Sequence, residues 1–196
     1  MLLVETDGVE SAAERELETI VETVLKMNPT EWSMARDGEE RGTLWTARKS
    51  AYVALARCSV TTTMEDLTVP ISKIPEALKR IQRIPERVGN LIRVATFGHA
   101  GDGNLHPTFL YDERIPEQRD AFFEALNIVY NEVALDLGGS ITGEHGVGLI
   151  RKPFIEKEHG PVEMALMRGI KRVFDPYNIL NPGKGKPWGY AGEPLR

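Results

Sequence analysis

The chain has 196 residues, 41% hydrophobic and 27% charged, which is enough apolar material for a packed domain and too much for a disordered polypeptide. A formal net charge of −5 provides no positive field for phosphate backbones or anionic lipid, so nucleic acid and direct membrane binding are set aside. Cys58 is the single cysteine, so no internal disulfide can form, which fits a reducing, cytoplasmic compartment; no apolar run reaches the ~18–20 residues of a membrane span.

In chain order, residues 2–5 read as a short strand closed by Asp7-Gly8, already in progress at Met1 as though cut from something longer. A helix is predicted from about 10 to 27, with Ser11 and Glu14 as a capping box, Ala13, Leu17, Ile20 and Val24 as its apolar stripe, and Asn28-Pro29 as its stop. Residues 30–36 alternate through Trp32 and Met34, a half-buried strand pattern. A second helix starts near Asp37 and runs to about 57. Leu44, Ala51 and Leu55 form one stripe of it, and Trp45, Arg48 and Tyr52 are expected on another. Leu67, Val69 and Ile71 alternate in a strand that Pro70 places at an edge. A helix over about 74–84 precedes two strands, 91–98 and 104–111, joined by a Gly-rich connection. A long helix is predicted over about 116–137, with Pro116 at its start, Phe122, Leu126, Val129, Val133 and Leu137 on one face, and Gly138 after its end. Gly-rich loops, a helix near 161–174 and an irregular tail complete the chain. The pattern predicts an α+β fold, an antiparallel sheet with helices packed on one face, followed by a mainly helical C-terminal extension.

The segment Gly98-His99-Ala100-Gly101-Asp102-Gly103-Asn104-Leu105-His106-Pro107 carries the clearest chemistry. In one uninterrupted strand, side chains seven positions apart point to opposite faces. A turn at Gly101-Asp102-Gly103 removes that obstacle and brings His99 and His106 across a hairpin toward one point, with Thr108 on the face of His106. Gly143-Glu144-His145-Gly146-Val147-Gly148 sets a carboxylate and a third histidine side by side in a backbone that glycine lets approach closely. Three of the four histidines thus sit in two Gly-rich loops. Two imidazoles and a carboxylate are a common ligand set for a divalent transition metal with open positions for substrate. Neither segment is a phosphate loop: the first lacks the third glycine of the dinucleotide fingerprint, and no lysine follows.

These segments, with Asn181-Pro182-Gly183-Lys184, Leu44-Trp45-Thr46-Ala47-Arg48 and Asp66-Leu67-Thr68-Val69-Pro70, occur in an order that resembles the C-terminal domain of FAD-linked oxidases, the family of glycolate oxidase flavoprotein subunits, D-lactate dehydrogenases and D-2-hydroxyglutarate dehydrogenases. The resemblance implies FAD as cofactor and a divalent metal, zinc or manganese, held by His99, His106 and Glu144. It also implies His145 as general base, Arg48 on the substrate carboxylate, Thr108 as a polar substrate contact and Asn181 in a tail motif that returns to the flavin. Members acting on dicarboxylates place a lysine where Met64-Glu65 stand, so a small 2-hydroxyacid is expected. On this basis residues 1–138 form a substrate-binding domain and 139–196 pack toward an FAD-binding domain of which the chain shows no trace. The implied partners are that domain and electron-transfer subunits, the latter giving any peripheral attachment to a membrane. A metal-dependent hydrolase and a non-catalytic module that keeps the fold are the competing readings.

Overall fold

The computed structural model describes residues 1–182 and divides the chain into two compact units, Met1–Ala54 and Leu55–Arg196. Both sides of the 138/139 position belong to the second unit.

The first unit consists of two helices, α1 (Glu10–Lys26) and α2 (Gly38–Ala56, whose last residues cross the unit boundary). Neither helix has a fully buried residue; Leu17, Ile20, Val21 and Val24 of α1 are half-buried. Helix α1 opens on Val9 without a side-chain cap, so Ser11 lies inside the first turn and the expected capping box does not form. Asn28 ends α1 in the left-handed region at φ 50°, ahead of Pro29. Helix α2 is capped as expected by Asp37, whose Oδ1 accepts the Glu39 and Glu40 amides at 2.9 Å. The Glu5 carboxylate accepts hydrogen bonds from the Arg41 guanidinium and from Trp45 Nε1, tying the opening segment to α2. Residues 2–5 and 30–36 are not strands. Alternation alone does not make a strand; a neighbour must pair its backbone, and among the described residues none does.

The second unit is built on a sheet whose central strand is β4 (Asn104–Tyr111), with β1 (Thr61–Met64) and β2 (Leu67–Thr68) antiparallel along one side and β3 (Arg93–His99) along the other. β1 and β2 follow one register, Met64 opposite Thr108 and Leu67 opposite Leu105, interrupted at residues 65–66. Pro107 accounts for the break. Its carbonyl accepts the Glu65 amide at 2.8 Å, but it has no N–H to return. The groups of residue 107 point only to that side, so the β3 ladder runs unbroken from Arg93 to His99. β1 was not foreseen, and β2 stops at Thr68: Val69 is buried with its amide on the Gly103 carbonyl, and Ile71 opens a short 3₁₀ turn to Lys73, exposed rather than in a strand.

The helices cover one sheet face. They are α3 (Ile74–Gln82), the single turn α4 (Ile84–Arg87) and α5 (Pro116–Asn127), which continues into a π-helical stretch over Ile128–Leu135. The predicted face of the long helix is its buried face: Phe122, Leu126, Val129, Val133 and Leu137 all lie in the core. The π-turn widens that face, so that Ile128, Val129 and Tyr130 are buried consecutively, and Gly138 follows at φ 77°. The turn α6 (Ile155–Glu158) and helix α7 (Pro161–Phe174) complete the α+β arrangement, whose C-terminal part is helical. In β4, Leu105, Phe109 and Tyr111 point to the helices. Asn104, His106 and Thr108 point to the opposite face and are nevertheless buried. That second face carries the chemistry.

Candidate functional site

The hairpin between β3 and β4 turns over Ala100–Gly103. The Gly103 amide donates to the His99 carbonyl at 3.0 Å, and Asp102 Oδ1 accepts the Asn104 amide at 2.9 Å. Gly103 sits at φ 84°, and a Cβ there would be 2.0 Å from the Val69 carbonyl oxygen, so only glycine fits. Register places His99 opposite Asn104 and Phe97 opposite His106, so His99 and His106 share a face as diagonal neighbours. Their ring centres are 5.5 Å apart with the planes at 90°.

The segment Thr142–His145 closes over this face. Its anchor is Asp66, which lies opposite His106 in the interrupted part of the ladder and is fully buried. Asp66 Oδ2 accepts from the Thr142 hydroxyl at 2.6 Å and from the amides of Gly143, Glu144 and His145 at 2.7, 3.1 and 2.9 Å. Burial alone would raise the Asp66 pKa, but the hydroxyl and the three amides outweigh it and hold the carboxyl below the usual carboxylate range. Gly143 is needed where the segment passes Asn104: a Cβ would lie 2.5 Å from the Asn104 amide group.

The outcome is a cluster. Glu144 Oε1 is 3.2 Å from His106 Nε2 and 3.6 Å from His99 Nε2, and one donor atom from each residue lies within 4.8 Å of the others. Donors around one cation at ~2.0–2.1 Å stand roughly 3–3.5 Å apart, a spacing that the Glu144–His106 pair meets and the Glu144–His99 pair approaches, so the donor set is of a kind that could hold a metal ion. His145 stacks on His106, ring centres 5.0 Å apart at 14°. His106 forms the buried wall, 6% exposed at the side chain, whereas Glu144 at 55% and His99 at 50% form an open rim. Burial pushes the His106 pKa down despite the nearby Asp66 and Glu144 carboxylates, which favours the neutral imidazole that a metal needs. A cleft lined by Thr68, His99, Asp102, Asn104, Gly143 and Glu144 opens beside the cluster.

Other expected site residues lie elsewhere. Thr108 shares the face of His106 but is fully buried, its hydroxyl donating to the His106 carbonyl at 3.3 Å. Arg48 belongs to the first unit, half-buried on α2. It shares that condition with Leu44, Ala51 and Leu55 rather than standing apart from their stripe, because 100° steps set residue 48 about 20° from position 55, at the edge of that stripe. Asn181 is exposed at φ 51°, and residues 183–184 of its motif lie outside the described residues.

Residues 1–185 match the family described as FAD linked oxidases, C-terminal domain. The chain belongs to this family. It is 42% identical over 94% of its length to glycolate oxidase subunit GlcD of Bacillus subtilis, covering 38% of that protein. It is 32% identical over 93% of its length to a D-lactate dehydrogenase [cytochrome], mitochondrial, of Arabidopsis thaliana, and 32% over 89% to a D-2-hydroxyglutarate dehydrogenase of Stutzerimonas stutzeri, covering 32% and 38% of those proteins. The chain thus spans under two fifths of the curated relatives it matches.

Within this family domain, sequence reasoning passed over the pair Glu65-Asp66. Adjacent carboxylates in a β-rich run must point to opposite faces, an arrangement too costly to bury unless each is partnered. That cost was the available signal. Asp66 turns to the site. Glu65 turns to the helices, fully buried, and accepts from the Tyr130 hydroxyl and from Arg151 Nη2 at 3.1 Å. Arg151 also donates from Nη1 to the Gly146 carbonyl at 2.9 Å. Burial raises the Glu65 pKa against those two partners. The two carboxylates together hold both ends of the Thr142–Gly146 segment.

Proposed function

We propose that this chain is the substrate- and metal-binding part of an FAD-dependent 2-hydroxyacid dehydrogenase that converts a small 2-hydroxyacid of the glycolate or D-lactate type into the 2-oxoacid. The observation that carries the reading is the convergence of His99, His106 and Glu144 within 4.8 Å, with His145 stacked beside them. Family membership supports the flavin and the substrate class.

In this reading His99, His106 and Glu144 hold one Zn²⁺ or Mn²⁺. Bound there, the cation would supply Lewis acidity toward the substrate hydroxyl, and flavin, held mainly by an FAD-binding domain, would supply the hydride acceptor. His145, stacked on His106 beside the cluster, takes the hydroxyl proton on an imidazole nitrogen. Arg48 grips the substrate carboxylate with a planar fork that a lysine cannot copy. Thr108, being buried, acts by packing beneath His106 rather than as a first contact, and Asn181 belongs to a tail motif that returns to the flavin. Met64, opposite Thr108 and half-buried, offers an apolar thioether where a second substrate carboxylate would need a cation, which favours a monocarboxylate.

Helix α7 exposes Val162, Leu166, Ile170, Val173 and Phe174 along one side, an apolar stripe suited to an FAD-binding domain packed against residues 139–196. Electrons then pass to further subunits, and the location is cytoplasmic, with any membrane attachment through those subunits. Among the described residues no helix is long and apolar enough to cross a membrane.

Metal analysis of the purified chain tests the central claim. One equivalent of Zn²⁺ or Mn²⁺ is expected in the parent, and His99→Ala and His106→Ala should lose it; equal metal in all three removes the reading. The chain alone should be colourless and should oxidise short 2-hydroxyacids only when an FAD-binding domain is supplied. Flavin-independent hydrolysis would move it to the hydrolases.

A further inference from the structure

We infer that Asp66 is a positioning residue that sets the tautomer of His106, holding the ring proton on Nδ1 and leaving the Nε2 lone pair facing Glu144. The inference deepens the metal-binding reading above and rests on it for its functional meaning.

The geometry has three parts. Asp66 Oδ2 is committed, since four donors from Thr142–His145 converge on it. A carboxylate pinned at one oxygen cannot rotate freely, so the direction of Oδ1 is set as well. Oδ1 lies 3.7 Å from His106 Nδ1, and both atoms are buried without a hydrogen-bond partner. Two such atoms facing each other are costly to leave unsatisfied, and a closing of several tenths of an ångström would satisfy both with one bond. Because the carboxylate can only accept, that bond requires the proton on Nδ1.

The consequence appears at the other end of the ring. With Nδ1 protonated, Nε2 presents a lone pair to Glu144 Oε1 at 3.2 Å. Two acceptors at that distance repel unless a cation lies against both. Asp66 therefore does more than tether the segment: it turns His106 into a ligand and, through the amides it accepts, places Glu144 and His145. This is the supporting role that carboxylates play behind metal-bound histidines. The Glu65 backbone also interacts with the His106 ring, so the experiment must separate it from the Asp66 carboxylate.

Asp66→Asn makes the separation. The four donors hold the amide oxygen of the asparagine, so its NH₂ group faces Nδ1 and forces the ring proton to Nε2. Thr142→Val is the control, removing one bond to the segment while leaving the carboxylate in place. The 196-residue chain is labelled with ¹⁵N-histidine, stripped of metal, and its His106 tautomer read by NMR. The parent and Thr142→Val should carry the proton on Nδ1, and Asp66→Asn should carry it on Nε2. In Zn²⁺ titration, Asp66→Asn should bind about 10–100-fold more weakly than the parent, with Thr142→Val much closer to it. An Nε2–H tautomer in the parent overturns the inference. So does an Nδ1–H that persists in Asp66→Asn, which would assign the tautomer to the Glu65 carbonyl. Should Asp66→Asn not fold, a dipolar coupling between His106 ¹⁵Nδ1 and Asp66 ¹³Cγ in the parent decides, and its absence refutes the contact. A parent that binds no Zn²⁺ but shows the tautomer switch defeats the metal reading alone; Zn²⁺ binding without the switch defeats this inference alone.

Discussion

Helix α1 in the first unit and the α5–π helix in the second both carry the periodic apolar residues of a helix that packs on one side. In α1 the stripe of Leu17, Ile20, Val21 and Val24 is only half-buried, and neither α1 nor α2 has a fully buried residue. In α5 and its π extension nine residues, Ala121 to Ala134, are buried. The pattern is the same; what differs is that the second helix has a sheet to lie on. Amphipathicity marks which side of a helix can be buried, and a partner surface decides whether it is. The difference also bears on function. Of the cluster, His106 stands on β4, whose other face is sealed by Leu105, Phe109 and Tyr111 against the helices, so that residue is backed by the hydrophobic core.

The largest effect that would sharpen this contrast is a matched pair of truncations. Phe109→Ala, in a fully buried position, should destabilise the second unit by about 3–5 kcal/mol, whereas Leu17→Ala in the first should cost about 1 kcal/mol or less. Chemical denaturation followed by amide exchange in β4 and in α1 reads the two units separately. Similar losses in both would end the distinction.

Arg48 probes the first unit for function instead of packing. In the flavin-loaded enzyme, Arg48→Lys should lower kcat/KM by about 10–100-fold, the worth of one charge-assisted hydrogen bond, and leave the unfolding midpoint unchanged. Parental kinetics would return Arg48 to a helix-surface role.

Two glycines give a smaller test with opposite signs. A Cβ on Gly139 would sit 1.8 Å from the Thr68 backbone oxygen, in the bridge where Thr68 and Ser140 exchange hydrogen bonds. Gly139→Ala should therefore cost roughly 1–3 kcal/mol. Gly42 of α2 has nothing within 4 Å, so Gly42→Ala should stabilise its helix by about 0.5–1 kcal/mol. Melting curves of the two variants should move in opposite directions.

The smallest effect concerns Asp175, after α7. Burial opposes its ionisation, but Lys171 and the Ile179 and Leu180 amides prevail and hold its pKa below the ordinary carboxylate value. A carboxyl depressed in the folded state adds stability above its unfolded pKa of about 3.9, and that stability is lost as pH falls through the folded value. Exchange protection of the Ile179 and Leu180 amides should be level above about pH 5 and fall below about pH 4. Protection that is flat through this range would show that the carboxylate does not hold the turn.

Much of the second unit was legible in the sequence. The face of the long helix, the β3–β4 pair and the stops at Asn28 and Gly138 follow from periodicity and from residues that tolerate positive φ. The convergence of His99 and His106 could be anticipated because four hairpin residues, two of them glycines, join strands whose side chains alternate strictly. Residues 2–5 and 30–36 misled because alternation is a local property, while pairing needs a second segment. β1 escaped because Thr61-Thr62-Thr63 has no apolar alternation to reveal it, although Tyr111 through Thr108 pair along it.

By itself the sequence determined the family, the residue types available for ligation and the turns that bring them close. These depend on short segments whose backbone options are limited by glycine, proline and strand pleat. Only the tertiary structure decided that Glu65 and Asp66 divide between the two faces of the sheet, one toward Tyr130 and Arg151, the other toward Thr142–His145. The physical reason lies in distance along the chain. The hydrogen-bond donors that Tyr130 gives Glu65 and Thr142 gives Asp66 lie 65 and 76 residues away, and the cost of burying a charge is settled only when the fold brings such donors to it.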